Sequence, residues 1–343
     1  MPQYLRFVTL DVFTTEPFAG NPLAVVFLPS EETSTPLTQS QKQLIAREFN
    51  YSETIFVHPA AAGSSEDNRR QIDIFTTEQE LPFAGHPTIG AACWFLRHSP
   101  DAHERRVVNT LVTKAGAIPI APLSLRFGSA GDAGDESTAP VTARIAHNVR
   151  IHAARFPLSE LLRLHPSLGP FLQKESYAEG FPIVSIVKGM TQIHVRLPSL
   201  EALAAVTGST GGEMVKSKSV AQGGYLDEGW ESDEDGLVVI YFHVRDVFDT
   251  VSNKEVIRTR MFLGTLEDPA TGSAASGLAA YLALTESEEQ TTRYECDIVQ
   301  GVEMGRRSDI GLEVVLAADR KRIESVELRG SSVKVSEGQI LVK

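Results

Sequence analysis

Two loops in this chain combine residues able to handle protons with residues able to hold an anion. The first is PFAGHPTIG, residues 82–90. His86 titrates near neutral pH and can donate, accept or relay a proton. Pro87 suits the first turn of a helix, whose opening N–H groups are unpaired and attract anions. Gly85 lets a ligand approach the backbone. The second loop is EDPATGSAASG, residues 267–277. Gly272 is a poor residue for a helix interior, so the helix is expected to begin near Ser273. Thr271, Gly272 and Ser273 then form a tight anion-binding turn, with Asp268 projecting toward the ligand. A third candidate is Glu53 of YSETIFV. Beside Ile55 and Phe56 it is expected to be partly desolvated, which would raise its pKa toward the range useful for taking a proton from carbon. Each group also has a structural reading: His86 as a loop or cap residue, Asp268 as an N-cap, Glu53 as a strand-edge carboxylate.

The elements that must position these groups follow from hydrophobic pattern. FVTLDVF, LAVVFL, ETIFV and QIDIF read as strands, and QKQLIAREFN as a short amphipathic helix with Leu44, Ile45 and Phe49 on its apolar side. TIGAACWFL puts Ile89, Cys93 and Leu96 on one helical face, with small residues that allow close approach of strands, so this helix is expected to be wrapped. LVVIYFHV and EVIRTRMFL read as strands, and DIVQGVEMGRRSDIGLEVVL as two strands around a turn. The tail ELRGSSVKVSEGQILV reads as a further strand pair turned at Glu337-Gly338, and residues 331–343 as structural. Residues 128–140 and 207–236 read as polar insertions outside the core, the second burying little. Each half thus holds several strands and one small-faced helix entered through a chemistry-bearing loop, the plan of a duplication. The stretch DVFTTEPFAGNP, residues 11–22, also echoes DIFTTEQELPFAGHP, residues 73–87, with Asn21 in the place of His86.

Composition removes several function classes. The chain has 343 residues, enough for about two domains, and a net charge of −12, which does not suit a phosphate-tracking surface. No apolar run approaches a membrane span and no signal peptide is evident, so a cytoplasmic location is expected. The two cysteines, Cys93 and Cys296, are expected to be buried free thiols. There is no Walker loop, dinucleotide fingerprint, nucleophile elbow or zinc-ligand spacing. His147 and His152 are poorly spaced for a metal.

Taken together, DVFTTEPFAGNPLAVV, the Ser52-Glu53-Thr54 triplet, PFAGHPTIGAA, EDPATGSAASG and QGVEMGRRSDI resemble the PhzF-like family of phenazine biosynthesis, in order and over nearly the whole chain. The resemblance implies an α+β, diaminopimelate-epimerase-like fold of two similar domains. Each would be a curved β-sheet or barrel around a central helix, with the active site in the cleft between them. Boundaries are expected at 1–122, with 331–343 returning to that domain, and 141–330, with the crossing near Pro119, Pro122 and the Gly/Asp-rich run. The family implies Glu53 as catalytic acid/base, with His86, Asp268 and Ser273 as accompanying catalytic groups. Gly85, Thr88, Thr271, Gly272 and Ala274 of the same motifs are then substrate-binding candidates, and Asn21 belongs to a scaffold turn. It also implies no metal or organic cofactor and a homodimer; the net charge and the lack of a spanning run lead to no expected nucleic-acid or membrane partner. Neither cysteine lies at a matching motif, which argues against a two-thiol racemase. The expected function is a cofactor-independent isomerase moving a proton on a small carboxylate-bearing metabolite. The alternative is an interaction protein that keeps the fold without the reaction.

Overall fold

The computed structural model describes residues 3–30, 36–60, 68–123, 136–232, 236–286 and 291–343. The fold is α+β and dominated by strands. It divides into one unit of residues 1–146 and 327–343 and another of residues 147–326. Residues 141–146 and 327–330 therefore belong to the first unit, where 141–330 was expected to form the second. The reason is pairing: strand Val141–Ile145 lies antiparallel to strand Gly116–Pro122, Ile120 opposite Ala143. Most of the Gly/Asp-rich run, residues 124–135, lies outside the described residues.

In the first unit, strand Gln3–Val12 pairs antiparallel with Ser332–Val342 on one side and Asn21–Phe27 on the other. Asn21–Phe27 is parallel to Glu53–Val57, which is antiparallel to Arg69–Phe75. Arg69–Phe75 is antiparallel to Glu80–Leu81 and parallel to Thr110–Thr113, which turns back into Gly116–Pro122. The second unit repeats this order. Phe181–Val187 pairs antiparallel with Arg150–Phe156 and with Met190–Arg196. Met190–Arg196 is parallel to Leu237–Asp249, which is antiparallel to Lys254–Leu263. Lys254–Leu263 is antiparallel to Leu266–Asp268 and parallel to Arg293–Gln300, which turns back into Ser308–Leu316. The shared sequence of parallel and antiparallel steps is the structural trace of a duplication.

Each unit packs its strands on a small-residue helix. In the first, every residue of helix Gly85–Cys93 is buried. A Cβ on Gly90 would lie 2.3 Å from Leu23 Cδ2, so only glycine allows this approach to the strands. In the second, helix Gly272–Glu286 is buried from Gly272 through Ala280. The opposite sheet faces have their own cores. Helix Gln39–Phe49 is capped by Thr38 and Gln41 in a reciprocal box and ends at a left-handed Asn50. It buries Lys42, Ile45 and Ala46, while Leu44 faces solvent, contrary to its expected place on the apolar side.

Three further expectations change. Residues 332–342 form one strand with no turn at Glu337-Gly338. Gly338 serves close contact instead, since a Cβ there would sit 3.1 Å from the Phe7 ring. The 207–232 part of the second insertion is largely exposed but is anchored to the core at a few residues, with residues 233–235 outside the described set. Leu226 is 1% exposed, and Val215, Tyr225 and Trp230 pack on the same cluster. The Tyr225 ring meets Phe156 edge-on at 5.1 Å, and Trp230 meets His152 at 5.9 Å. Cys296 is only half-buried, whereas Cys93 is buried as expected; both are free. Among the described residues no helix is long and apolar enough to cross a membrane.

Candidate active site

The FTTE echo is a local turn device. Thr14 Oγ1 accepts the Glu16 N–H at 3.0 Å, and Thr76 Oγ1 accepts the Glu78 N–H at 3.1 Å. After the first turn the chain enters strand Asn21–Phe27; after the second it enters helix Gly85–Cys93. The same motif therefore delivers Asn21 to a strand start and His86 to a helix start.

These two positions converge on Glu53. His86 lies within the first turn of its helix, 3% exposed, rather than just before it. Its Nδ1 stands 3.1 Å from Glu53 Oε2, and Glu53 opens strand Glu53–Val57 directly beside Leu23. Ser52 Oγ lies 3.3 Å from Asn21 Oδ1 and also hydrogen-bonds Glu53. Asn21, read from the sequence as scaffold, is 1% exposed and steadies the residue next to the carboxylate.

Burial works to raise the Glu53 carboxyl. The charge of His86 and hydrogen bonds from His86 and Ser52 work the other way and prevail, so the group sits below the ordinary carboxylate value. The expected upward shift is thus overturned by a neighbour remote in sequence. Glu53 is ionised at neutral pH, the form that accepts a proton. His86 Nε2 is buried without a hydrogen-bond partner among the described residues. The helix start has no side-chain cap. Gly85 is buried there, and Thr88 spends its hydroxyl on the Ala84 carbonyl at 2.8 Å.

The second unit builds its entrance around a residue that sequence reasoning passed over. Gln300 donates from Nε2 to the Asp268 carbonyl at 2.7 Å and to Thr271 Oγ1 at 3.0 Å. Its Oε1 accepts the Thr271 N–H at 3.3 Å and the Tyr241 hydroxyl at 3.0 Å. Thr271 in turn donates from Oγ1 to Asp268 Oδ2 at 2.6 Å. The helix begins at Gly272, with the Ala275 N–H bonded to the Thr271 carbonyl, one residue before the expected start. Asp268, Ser273 and Ala274 are all buried here. Gly301, at φ +75°, backs the turn: a Cβ would lie 2.7 Å from the Pro269 carbonyl. The signal for Gln300 was present, as Gln-Gly ahead of VEMGRR, but a lone amide carries no chemistry of its own to attract notice.

The cysteines take no part in this constellation. Burial pushes both the Cys93 and Cys296 thiols up to about 12, far from useful proton exchange near neutral pH.

Comparisons with known proteins show the family and the fold. The family model for phenazine biosynthesis-like protein (PhzC-PhzF) matches residues 10–338. An uncharacterised isomerase of Mesorhizobium japonicum is 30% identical, the match covering 99% of this chain and 100% of that protein. A trans-2,3-dihydro-3-hydroxyanthranilate isomerase of Pseudomonas chlororaphis is 30% identical over 98% of this chain and 99% of its own. The crystal structure of a PhzF-family protein of Bacillus anthracis shares the fold, with a TM-score of 0.68 at 21% identity over 99% of this chain and 100% of that one. The chain belongs to the phenazine biosynthesis-like family and is a PhzF-like isomerase.

Proposed function

We propose that this isomerase moves a proton between carbons of a small carboxylate-bearing metabolite by general acid/base catalysis, with Glu53 as the group that takes the proton. The observation that carries the reading is the buried Glu53 Oε2–His86 Nδ1 contact with Nε2 unpartnered beside it. Glu53 accepts a proton from a C–H next to an unsaturated or carboxylated group. The C–H electron pair delocalises into that group, and the proton returns at a different carbon. No electron is gained or lost overall, so no redox partner is required. The uncapped N–H groups at Gly85 and the turn at Thr271–Ser273 suit the binding of substrate oxygens. Asp268 and Ser273 act as substrate-handling groups in this reading.

The named substrate of the Pseudomonas relative, trans-2,3-dihydro-3-hydroxyanthranilate, is the first compound to test. In D₂O the wild type should place solvent deuterium in the product. Glu53→Gln should lose roughly 10²–10⁴ in turnover, the usual contribution of a positioned acid/base, while keeping its fold. Wild-type exchange in Glu53→Gln would remove the assignment. If this compound fails, the same deuterium readout applies to other small unsaturated carboxylates.

A further inference from the structure

A polar ladder lies on one face of the paired strands Met190–Arg196 and Leu237–Asp249. The strands are parallel, with His194 opposite Tyr241 and Arg196 opposite His243. Alternation sends Ile193, Val195, Ile240 and Phe242 into the hydrophobic cluster. Gln192, His194 and Arg196 therefore share the other face with Tyr241 and His243, toward helix Gly272–Glu286. The helix covers only part of it. A Cβ on Gly277 would lie 2.3 Å from Gln192 Oε1, and Tyr281 stacks on the His194 ring with centroids 6.2 Å apart and planes at 28°. The rest of the ladder lines a pocket of about 450 Å³, to which Tyr177 also contributes. That is within the usual range for small-molecule sites.

Buried polar atoms normally find partners. Here both ring nitrogens of His194 and Nδ1 of His243 have none among the described residues, though the two residues are only 1% and 4% exposed. Burial, reinforced by His243, holds His194 well below its ordinary value; burial, then the Arg245 and Arg196 charges, brings His243 to about 3. Both rings are neutral at pH 7; His194 has one N–H to offer, whereas His243 spends its N–H on the Tyr241 backbone and leaves Nδ1 as an acceptor. Of the three arginines in the pocket, Arg245 is paired with Glu286, and Arg155 is donated to the Glu179 and Gly180 carbonyls. Arg196 has no ion-pair partner among the described residues. One uncommitted guanidinium, the neutral His194 N–H beside it and two phenol walls suit a planar ring bearing a carboxylate. Inorganic phosphate would use the guanidinium and leave the aromatic walls without a role.

We propose that the second unit carries a further ligand site, for a small aromatic carboxylate, built on Arg196, His194, His243, Tyr177 and Tyr281. It is separate from the Asp268–Ser273 entrance. Tyr281 lies along the same helix at about 12 Å from Ser273, at a rise of about 1.5 Å per residue.

The test uses the full-length chain labelled with ¹⁵N-histidine and benzoate as probe. Benzoate should shift the His194 and His243 ring signals, and the neutral isostere benzamide should not. Arg196→Gln, at an exposed position, should weaken benzoate binding at least roughly tenfold, the worth of one charge-assisted hydrogen bond. Glu53→Gln and Ser273→Ala should leave it unchanged. The proposal is overturned by unmoved His194 and His243 signals at high benzoate, by an equal response to benzamide, or by affinity retained in Arg196→Gln. Loss of binding in Ser273→Ala instead would place benzoate at the helix entrance and also overturn it.

Discussion

The character of Glu53 is decided by one neighbour. Burial alone would favour its protonated form, and His86 reverses the balance. Removing His86 deletes both its charge and its hydrogen bond, leaving burial opposed only by Ser52. In His86→Ala the Glu53 carboxyl should therefore rise above its ordinary value, measured by ¹³C titration of the labelled carboxyl. A carboxyl that stays low in that variant would show that His86 is not the cause. The sign for stability follows. With its folded pKa depressed, Glu53 stabilises the native state above its unfolded value, and this contribution is lost as pH falls through the folded one. The motifs made Glu53, His86, Asp268 and Ser273 legible as candidates. Which way Glu53 shifts was not legible, because Ile55 and Phe56 are adjacent in sequence while His86 is adjacent only in space. Gln300 escaped for the same reason: its importance lies in hydrogen bonds to residues far away along the chain.

Between elements, small polar networks hold the frame around the site. Lys42 of helix Gln39–Phe49 and His58 both reach Asp73 on strand Arg69–Phe75. Burial raises the Asp73 carboxyl, but hydrogen bonds from His58 and Lys42 and their charges win, bringing it from 3.8 to about 2. This contribution is complete above 3.8 and disappears as pH falls through about 2, a loss of roughly 2 kcal/mol. Denaturant melts between pH 5 and pH 2 should show that slope in the wild type and a flatter one in Asp73→Asn; equal slopes would refute the network's role. In the second unit, Gln300→Leu strips partners from the Thr271 N–H and the Asp268 carbonyl, while the Tyr241 hydroxyl keeps Thr259 Oγ1. Each orphaned buried group costs about 1–3 kcal/mol, so the variant should melt clearly below the wild type. Strands with clean apolar runs, such as LAVVF and LVVIYFHV, were readable from pattern. The insertion at 207–232 was not. Its Gly and Ser content suggested exposure, yet Leu226 and Trp230 anchor it, and spaced single anchors leave no periodicity to detect. Leu226→Ala should cost about 2–5 kcal/mol, as deletion of a buried leucine does.

For the whole molecule, chain order determines which part can stand alone. The second unit is one continuous segment, residues 147–326, inserted between the two pieces of the first. Its inner helix, its strands and the hydrophobic cluster around Phe156 and Phe242 all come from that segment. The first unit differs, because strand Gln3–Val12 needs Ser332–Val342 along its whole length, from Gln3 opposite Val342 to Val12 opposite Ser332. Just before that returning strand, Gly330 meets the inner helix, whose Cys93 thiol lies 3.9 Å from the Gly330 carbonyl, and Phe13 packs on Gly330. Without the returning strand, an edge strand of ten residues loses its partner, and unpaired edges invite aggregation. A fragment of residues 147–326 should therefore be soluble and melt cooperatively. A fragment of residues 1–146 should aggregate, and adding a peptide of residues 327–343 should restore a cooperative transition. Circular dichroism melts of the three samples decide the matter. A cooperative transition from residues 1–146 alone would show that the returning strand is dispensable, and an unfolded 147–326 fragment would show that the inserted segment depends on its host.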